Sequence, residues 1–164
     1  MYKITALLHV SNDAPRLGRA LDSLRVCDEL LVVDHGSEDD TLKIAQSHGA
    51  TIKKAIPGVE NGAYATDARH DWILCVLPCE ALSEGLEASL LGWKHQTEGK
   101  DHPETEPDHA ALAFALRKET DGGWEGAPPQ TRLVNRRSVN WTSTLPPETK
   151  GALVLPGDLL HFRD

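Results

Sequence analysis

The sequence has few basic side chains, no long apolar runs and little cysteine. Its 17 lysines and arginines stand against 25 aspartates and glutamates, which gives a formal net charge of −8. This balance argues against a general nucleic-acid binder, because counterion release on nucleic acid requires clustered basic side chains. No apolar run approaches the roughly 20 residues that span a bilayer. The first residues also lack the apolar stretch that is typical of a signal peptide.

The three cysteines, Cys27, Cys75 and Cys79, are an odd number without the spacing of a disulfide framework. Cys75 lies inside an apolar segment, so packing in the core is the favoured interpretation. Zinc binding by the three thiols is the alternative, although their spacing is not that of a finger or ribbon. With no export signal, the sequence predicts a protein of the reducing cytoplasm.

The length of 164 residues allows one full core and excludes two large domains. Short apolar segments alternate with segments of helical periodicity along the first half of the chain. We predict strands at 4–10, 29–34, 50–54 and 71–77, helices at about 15–24, 39–48 and 83–94, and a weak helix at 62–70. This order is typical of a parallel α/β sheet with right-handed crossovers. The strand ends near Asn12, Asp34 and Leu77 should therefore converge on one crevice.

The character of the chain changes after residue 94. Residues 95–109 are polar and mostly acidic, which predicts a solvated loop. Beyond that loop we predict a strand at 110–116, turns at 121–123 and 126–129, a strand at 131–136, and a short strand, turn and closing segment at 153–162. We expect one domain covering 1–164.

The segment from Val32 to Thr41, VVDHGSEDDT, resembles a signature of the family 2 glycosyltransferases. That signature is a hydrophobic strand, an aspartate, a Gly-Ser turn, and an Asp-x-Thr that leads into a helix. Residues 20–30 and Asp71–Leu74 resemble the family in the same order. The Arg132–Arg137 segment, with Trp141 and His161, is similar to the subgroup related to lipopolysaccharide core glucosyltransferases. The resemblance implies a glycosyltransferase A-type fold, a Rossmann-like and mostly parallel sheet flanked by helices.

The resemblance further implies transfer of a sugar from a nucleotide-diphosphate sugar, with UDP as the first candidate, to an acceptor with inversion. Residues 1–94 would be the nucleotide-binding half, 95–109 the acidic loop, and 110–164 a shortened acceptor-side segment. The nucleotide would be held by His9, Ser11, Asn12, Asp34, Gly36 and Ser37. The alternative for Asp34 and Ser37 is that they cap the next helix. His35 is a diphosphate contact or, in the favoured interpretation, a tolerated loop residue.

The sequence departs from the family at the metal motif and at the catalytic base. The Asp-x-Asp motif of the family falls on Leu77-Pro78-Cys79, followed by Glu80. One carboxylate beside a thiol is a poor Mg²⁺ site, so we expect neither a metal nor another cofactor. The family's His-Glu pair becomes Pro147-Glu148, which leaves Glu148 and Glu80 as the candidate catalytic carboxylates.

Arg132 and Arg136 are candidates for binding the diphosphate or the acceptor in place of a metal, and a solvated face is the alternative. Two function classes follow. One is a weak or metal-independent transferase, and the other is a non-catalytic module of the same fold that binds a nucleotide, a sugar or a protein. The missing carboxylates favour the second, and the fold alone does not decide between them. The sequence does not name the sugar, the acceptor or the oligomeric state.

Overall fold

A computed structural model describes residues 1–97 and 109–164. Most of the predicted acidic loop, residues 98–108, lies outside the described residues. The described strands are β1 (Ile4–Val10), β2 (Glu29–Asp34), β3 (Thr51–Lys54), β4 (Trp72–Cys75), β5 (Glu80–Leu82), β6 (Ala111–Thr120), β7 (Gly123–Asn135) and β8 (Leu153–His161). The helices are α1 (Ala14–Asp22), α2 (Thr41–Ser47) and α3 (Glu84–Lys94), with 3₁₀ helices at Asn61–Asp67 and His95–Thr97.

The first half of the chain forms the parallel part of the sheet. Strand β1 pairs in parallel with β2 on one side and with β4 on the other, and β3 extends the sheet beyond β2. Every residue of β1 except His9 is buried, which suits a strand covered on both faces. The prediction of alternating parallel strands and helices is confirmed. Gly49 follows α2 with a φ of +73°, the left-handed conformation that commonly ends a helix.

The second half adds four strands, and the sheet has the order β3-β2-β1-β4-β7-β6-β8-β5. Strand β7 pairs antiparallel with β4 and with β6, and β8 lies parallel to β6. Strand β5 pairs antiparallel with β8 and was not predicted. The fold class of an α/β sheet flanked by helices is confirmed, with a parallel first half and mixed pairing beyond β4.

The predicted turn at 126–129 is wrong, because these residues lie inside β7. Their pairing with β6 is irregular: Phe114 faces Gln130 but Leu116 faces Ala127, so Pro128 and Pro129 occupy a bulge. Strand β4 pairs only with the end of β7, at residues 133–135. Pro128 and Pro129 therefore have no β4 residue opposite them that would need a backbone N–H donor. The segment at 153–162 is likewise one strand, with a register shift at Pro156-Gly157.

The main core lies between one face of the sheet and helices α1 and α3. Leu17 of α1 and Leu86 and Leu90 of α3 are fully buried there, together with Phe114 of β6. The other face of the parallel strands packs against Tyr64 and its neighbours in the 3₁₀ helix Asn61–Asp67. No helix among the described residues is long and apolar enough to cross a membrane.

Candidate functional site

The carboxyl ends of three parallel strands meet at one edge of the sheet. Val10 of β1 lies opposite Asp34 of β2, and Leu7 of β1 lies opposite Cys75 of β4. The loops that follow these strands line a crevice of about 470 Å³. The predicted convergence of the strand ends is confirmed, and this is the edge where open α/β sheets bind ligands.

Asp34 shapes the turn that follows β2. Its side chain is almost fully buried, and its carboxylate accepts the Ser37 backbone N–H at 3.1 Å. Gly36, with a φ of +88°, supplies the left-handed residue of this turn. The alternative that Asp34 and Ser37 cap the next helix is wrong, because the residue at the N-cap of α2 is Asp40.

Asn12 joins the loop after β1 to the loop after β2. Its backbone N–H donates to Ser37 Oγ at 3.0 Å, and its Oδ1 accepts the Glu38 backbone N–H at 2.8 Å. Asn12 has a φ of 53°, a conformation that asparagine tolerates better than most residues. These bonds join the two loops into one wall. Of that wall, Ser11 and His35 line the crevice, whereas Asn12, Asp34, Gly36 and Ser37 are not among the lining residues.

Two histidines are in contact in this crevice. His9 Nδ1 lies 2.8 Å from His35 Nε2, and His9 Nε2 lies 3.1 Å from the Asn61 carbonyl oxygen. Burial, with a smaller contribution from the charge of His35, lowers the pKa of His9 to about 4. The favoured interpretation of His35 as a tolerated loop residue did not foresee this pair. The sequence signal was available, since each histidine lies next to the end of a predicted parallel strand.

Glu80 and Arg132 form a buried ion pair rather than a binding surface. Arg132 donates to both carboxylate oxygens of Glu80, at 2.6 and 2.8 Å, and the two side chains are at most 2% exposed. Glu80 also accepts the Leu77 backbone N–H at 2.9 Å and lies 3.2 Å from His161 Nδ1. The prediction that Arg132 binds a diphosphate is wrong, and so is its solvated-face alternative. Both charges are removed from water, so each needs the other as its counterion and neither is exposed to a ligand. Glu80 is equally unavailable as an exposed catalytic carboxylate.

Arg136 and Glu148 have structural partners outside the crevice. Arg136 donates to Asp71 at 3.0 Å and to the carbonyl oxygens of Ala65 and Ala68. The Glu148 carboxylate accepts the backbone N–H and the hydroxyl of Thr131, both at 3.1 Å. Among the described residues, the lining of the crevice includes neither of them. The structure therefore does not bring these two predicted site residues to the predicted nucleotide site.

The residues at the floor of the crevice do not suit Mg²⁺ or Mn²⁺. Leu77, Pro78 and Cys79 line it where a carboxylate pair would be needed. The carboxylates nearby are already paired, since Asp13 accepts a hydrogen bond from Arg16 at 2.6 Å and Asp164 accepts two from Arg19. Within residues 1–97 and 109–164, no three His, Cys, Asp or Glu side chains are placed to hold a metal ion.

The cysteines do not form a zinc site either. Cys27 and Cys75 are separate thiols, and burial raises the pKa of each to about 12. Cys79 lines the crevice, 3.8 Å from His161 Nε2, and burial raises its pKa as well. The core interpretation of Cys75 is confirmed.

A second cavity of about 370 Å³ lies at the opposite edge of the sheet, between the ends of α1 and α2 and the start of β2. It faces the amino ends of the parallel strands, where open α/β sheets do not usually bind ligands. The loops that carry chemistry in the predicted site are all at the other edge. We therefore treat the crevice at the carboxyl edge as the candidate site.

Comparison with known proteins relates the chain to glycosyltransferases. No family model matches it. It is 37% identical over 94 residues to an uncharacterized glycosyltransferase of Rickettsia felis, covering 55% of this chain and 33% of the relative. A similar protein of Rickettsia bellii is 38% identical over 92 residues, covering 54% and 31%. A TPR repeat-containing protein of Synechococcus elongatus is 33% identical over 144 residues, covering 84% and 32%. The chain thus spans about a third of the length of these relatives.

Solved structures agree on the fold. Residues 1–349 of S. aureus TarS superpose with a TM-score of 0.52 at 17% identity, covering 77% of this chain and 38% of that one. A mycobacterial protein gives a TM-score of 0.50 at 22% identity, covering 71% and 41%. TarS in complex with UDP gives a TM-score of 0.50 at 17% identity, again covering 77% and 38%. At these identities the likeness shows the fold alone, and that fold is the glycosyltransferase A-type α/β fold.

Proposed function

We propose that this chain binds a nucleoside diphosphate sugar, with a UDP-sugar as the first candidate, in the crevice at the carboxyl edge of its parallel strands. The observation that carries the proposal is the convergence of β1, β2 and β4 on that crevice. The fold is shared with TarS, which has been solved in complex with UDP. The glycosyltransferase names of the rickettsial relatives support the same class of ligand.

In this proposal the wall built from the two joined loops receives the nucleoside. Asp34 holds the turn in shape through Ser37, and Asn12 ties that turn to the loop after β1. A carboxylate at a strand end also accepts hydrogen bonds from a base or a ribose. Of the six predicted nucleotide-binding residues, His9 and Ser11 line the crevice, and Asn12, Asp34, Gly36 and Ser37 belong to the loops that are joined beside it. We keep all six as proposed nucleotide-binding residues.

The finer proposal concerns catalysis. Inverting transfer needs a general base near the acceptor hydroxyl and a group that neutralises the departing diphosphate. Glu80 is bound to Arg132, and Glu148 is bound to Thr131 away from the crevice. Because both carboxylates already have these partners, the structure favours the second candidate function, a module that binds a nucleotide sugar without rapid transfer. Neither binding nor slow transfer in this proposal depends on a divalent metal.

The first test replaces Asp34 and removes metal. We expect UDP-glucose to bind in the presence of EDTA, and Asp34→Ala to weaken binding by about 1–3 kcal/mol, the cost of lost hydrogen bonds to a charged group. Isothermal titration calorimetry of the purified chain with UDP-glucose, GDP-mannose and uridine measures this, with and without Mn²⁺. Glu125→Ala, an exposed carboxylate of the β6–β7 hairpin, is the matched control and should leave affinity unchanged.

Two results would contradict the proposal. One is a folded protein that binds none of these nucleotides at millimolar concentration. The other is binding and rapid sugar transfer that begin on adding Mn²⁺ and stop with EDTA, which would place a metal site where the crevice has Leu77 and Cys79.

A further inference from the structure

His9 is held in one protonation state by its surroundings. Its Nε2 faces the carbonyl oxygen of Asn61 at 3.1 Å, and a carbonyl oxygen only accepts hydrogen bonds. His9 Nε2 therefore carries a hydrogen. Because the ring is half-buried and beside Tyr64, the neutral form is favoured, and the neutral ring leaves Nδ1 as an acceptor.

That acceptor points at His35. His35 Nε2 lies 2.8 Å from His9 Nδ1, so His35 is the donor in this bond. A histidine that donates through Nε2 keeps the same bond when its Nδ1 also takes up a proton. Of the two rings, that of His35 can therefore gain a second ring hydrogen without losing this bond, and it is exposed at the wall of the crevice.

Three carboxylates around this wall already have partners. Asp34 accepts the Ser37 N–H, Asp13 accepts from Arg16, and Asp164 accepts from Arg19. Arg16 of α1 also lines the crevice, where its positive charge is paired with Asp13. The elements around the crevice also carry other ionisable groups, among them His9 of β1, Lys54 of β3, Tyr64 of the 3₁₀ helix, Cys79 after β4, and Glu38, Asp39 and Asp40 of the His35 loop.

We propose that His35, oriented by neutral His9, is a proton-dependent binding group for the diphosphate of the nucleotide sugar. The inference rests on the proposed function and deepens it. Among the described residues, the crevice floor offers no carboxylate pair for a cation, which leaves cationic side chains to balance the negative charge of a diphosphate. An imidazolium donates charge-assisted hydrogen bonds to phosphate oxygens, and histidine is the side chain that ordinarily changes charge between pH 5 and 8.

The test is the pH dependence of UDP-glucose binding. Each phosphate of UDP-glucose carries one ester bond and the shared anhydride bond, so both keep their charge between pH 6 and 8, unlike a phosphate monoester, which titrates near 6. We expect UDP-glucose to bind about tenfold more tightly at pH 6 than at pH 8, the effect of one charged hydrogen bond. Uridine, which has no phosphate, should bind equally at both values. Calorimetric titration of the whole chain measures both ligands.

Variants separate a binding role from a structural one. His35→Gln should remove the pH dependence while leaving uridine binding intact. His9→Leu should also reduce the pH dependence, because His35 loses its hydrogen-bond acceptor. His9→Gln should reduce the pH dependence less, because its amide both donates and accepts. His48→Gln is the matched control, since His48 directly after α2 pairs with Asp22 away from this crevice, and it should keep the full dependence.

The outcomes distinguish this inference from the proposed function. UDP-glucose affinity that is equal at pH 6 and pH 8, or a dependence that survives in His35→Gln, overturns the role of His35 while nucleotide binding stands. A charged His9 at pH 6, seen in its ¹⁵N chemical shifts without ligand, overturns it independently. If neither UDP-glucose nor uridine binds at any pH, the proposed function fails and this inference falls with it.

Discussion

Glu80 and Arg132 lie beneath the crevice floor, where neither side chain is more than 2% exposed. Removing two opposite charges from water costs several kcal/mol for each ion, and only close pairing with full hydrogen bonding offsets that cost. Arg132 supplies two hydrogen bonds to Glu80 and also donates to the Cys75 carbonyl and to Gln130. At the scale of residues, Glu80, which directly follows the metal-motif position, therefore supports the loop after β4 and is not exposed to a ligand.

This pair predicts a non-additive pattern of stability. Arg132→Met should lower the free energy of unfolding by about 3–5 kcal/mol, because Glu80 remains buried without a counterion. Adding Glu80→Leu to that variant should restore much of the loss, since the double variant buries no charge. Urea unfolding of the single and double variants measures this coupling. A double variant whose loss equals the sum of the two single losses would show that the charges do not depend on each other.

At the scale of elements, the 3₁₀ helix Asn61–Asp67 connects the crevice to the segment after β7. The Gly62 backbone N–H donates to the Thr142 carbonyl at 3.0 Å, and Asn61 Nδ2 donates to Thr144 Oγ1 at 2.8 Å. A Cβ on Gly62 would lie 2.0 Å from the Trp141 carbonyl oxygen. The two backbones thus meet only because residue 62 has no side chain, and Asn61 is thereby placed against His9.

Gly62→Ala should separate these two backbones. We expect it to destabilise the chain by about 1–3 kcal/mol, the usual effect of overpacking, and to weaken UDP-glucose binding because Asn61 moves away from His9. Gly92→Ala is the matched control. Nothing lies within 4 Å of a Cβ on Gly92 in α3, so alanine there should add about 0.5–1 kcal/mol of stability. Thermal unfolding and calorimetry measure both variants, and equal effects of the two alanines would refute this explanation.

At the scale of the whole molecule, a group of hydrogen bonds at the amino edge of the sheet lies away from the crevice. At the amino edge, Asp28 accepts hydrogen bonds from Lys94 Nζ and from the Ile4 backbone N–H, both at 2.8 Å. Lys94 Nζ also donates to the Val26 carbonyl at 2.7 Å. These bonds join the start of β1, the segment before β2 and the end of α3. The crevice at the carboxyl edge contains none of these residues.

The Asp28 contact predicts a pH-dependent share of stability. Burial alone would raise the pKa of the Asp28 carboxyl, but the hydrogen bonds from Lys94 and Ile4 outweigh it and lower that pKa. A lowered pKa in the folded state contributes stability that is present above about pH 4, the unfolded value, and is lost as the pH falls through the folded value. Lys94→Met should therefore destabilise the chain by about 1–2 kcal/mol at pH 7, with a smaller difference from the unchanged protein below pH 4.

Urea unfolding at a series of pH values from 2.5 to 7 measures that difference. Lys118→Met, an exposed lysine of the β6–β7 hairpin, serves as the control and should have little effect at any pH. A Lys94→Met deficit that grows as the pH falls would contradict the assigned direction of the Asp28 pKa.

The sequence by itself determined the parallel first half of the fold. Strands 4–10 and 29–34 are each encoded by a short run of apolar side chains, and the helix after Ser83 by a helical period of them. Because parallel strands with right-handed crossovers present their carboxyl ends together, the crevice and the loops at Asn12 and Asp34 also followed from local pattern.

Only the tertiary structure decided what the charged and titratable side chains do. Arg132 and Glu80 are 52 positions apart in sequence and His9 and His35 are 26 apart, so no local period records their contacts. An arginine in an alternating strand has the same local pattern whether it faces solvent or a buried carboxylate. Its role depends on the desolvation and pairing that distant residues impose. For the same reason Pro128-Pro129 predicts a turn locally, while pairing with β6 holds it inside a strand.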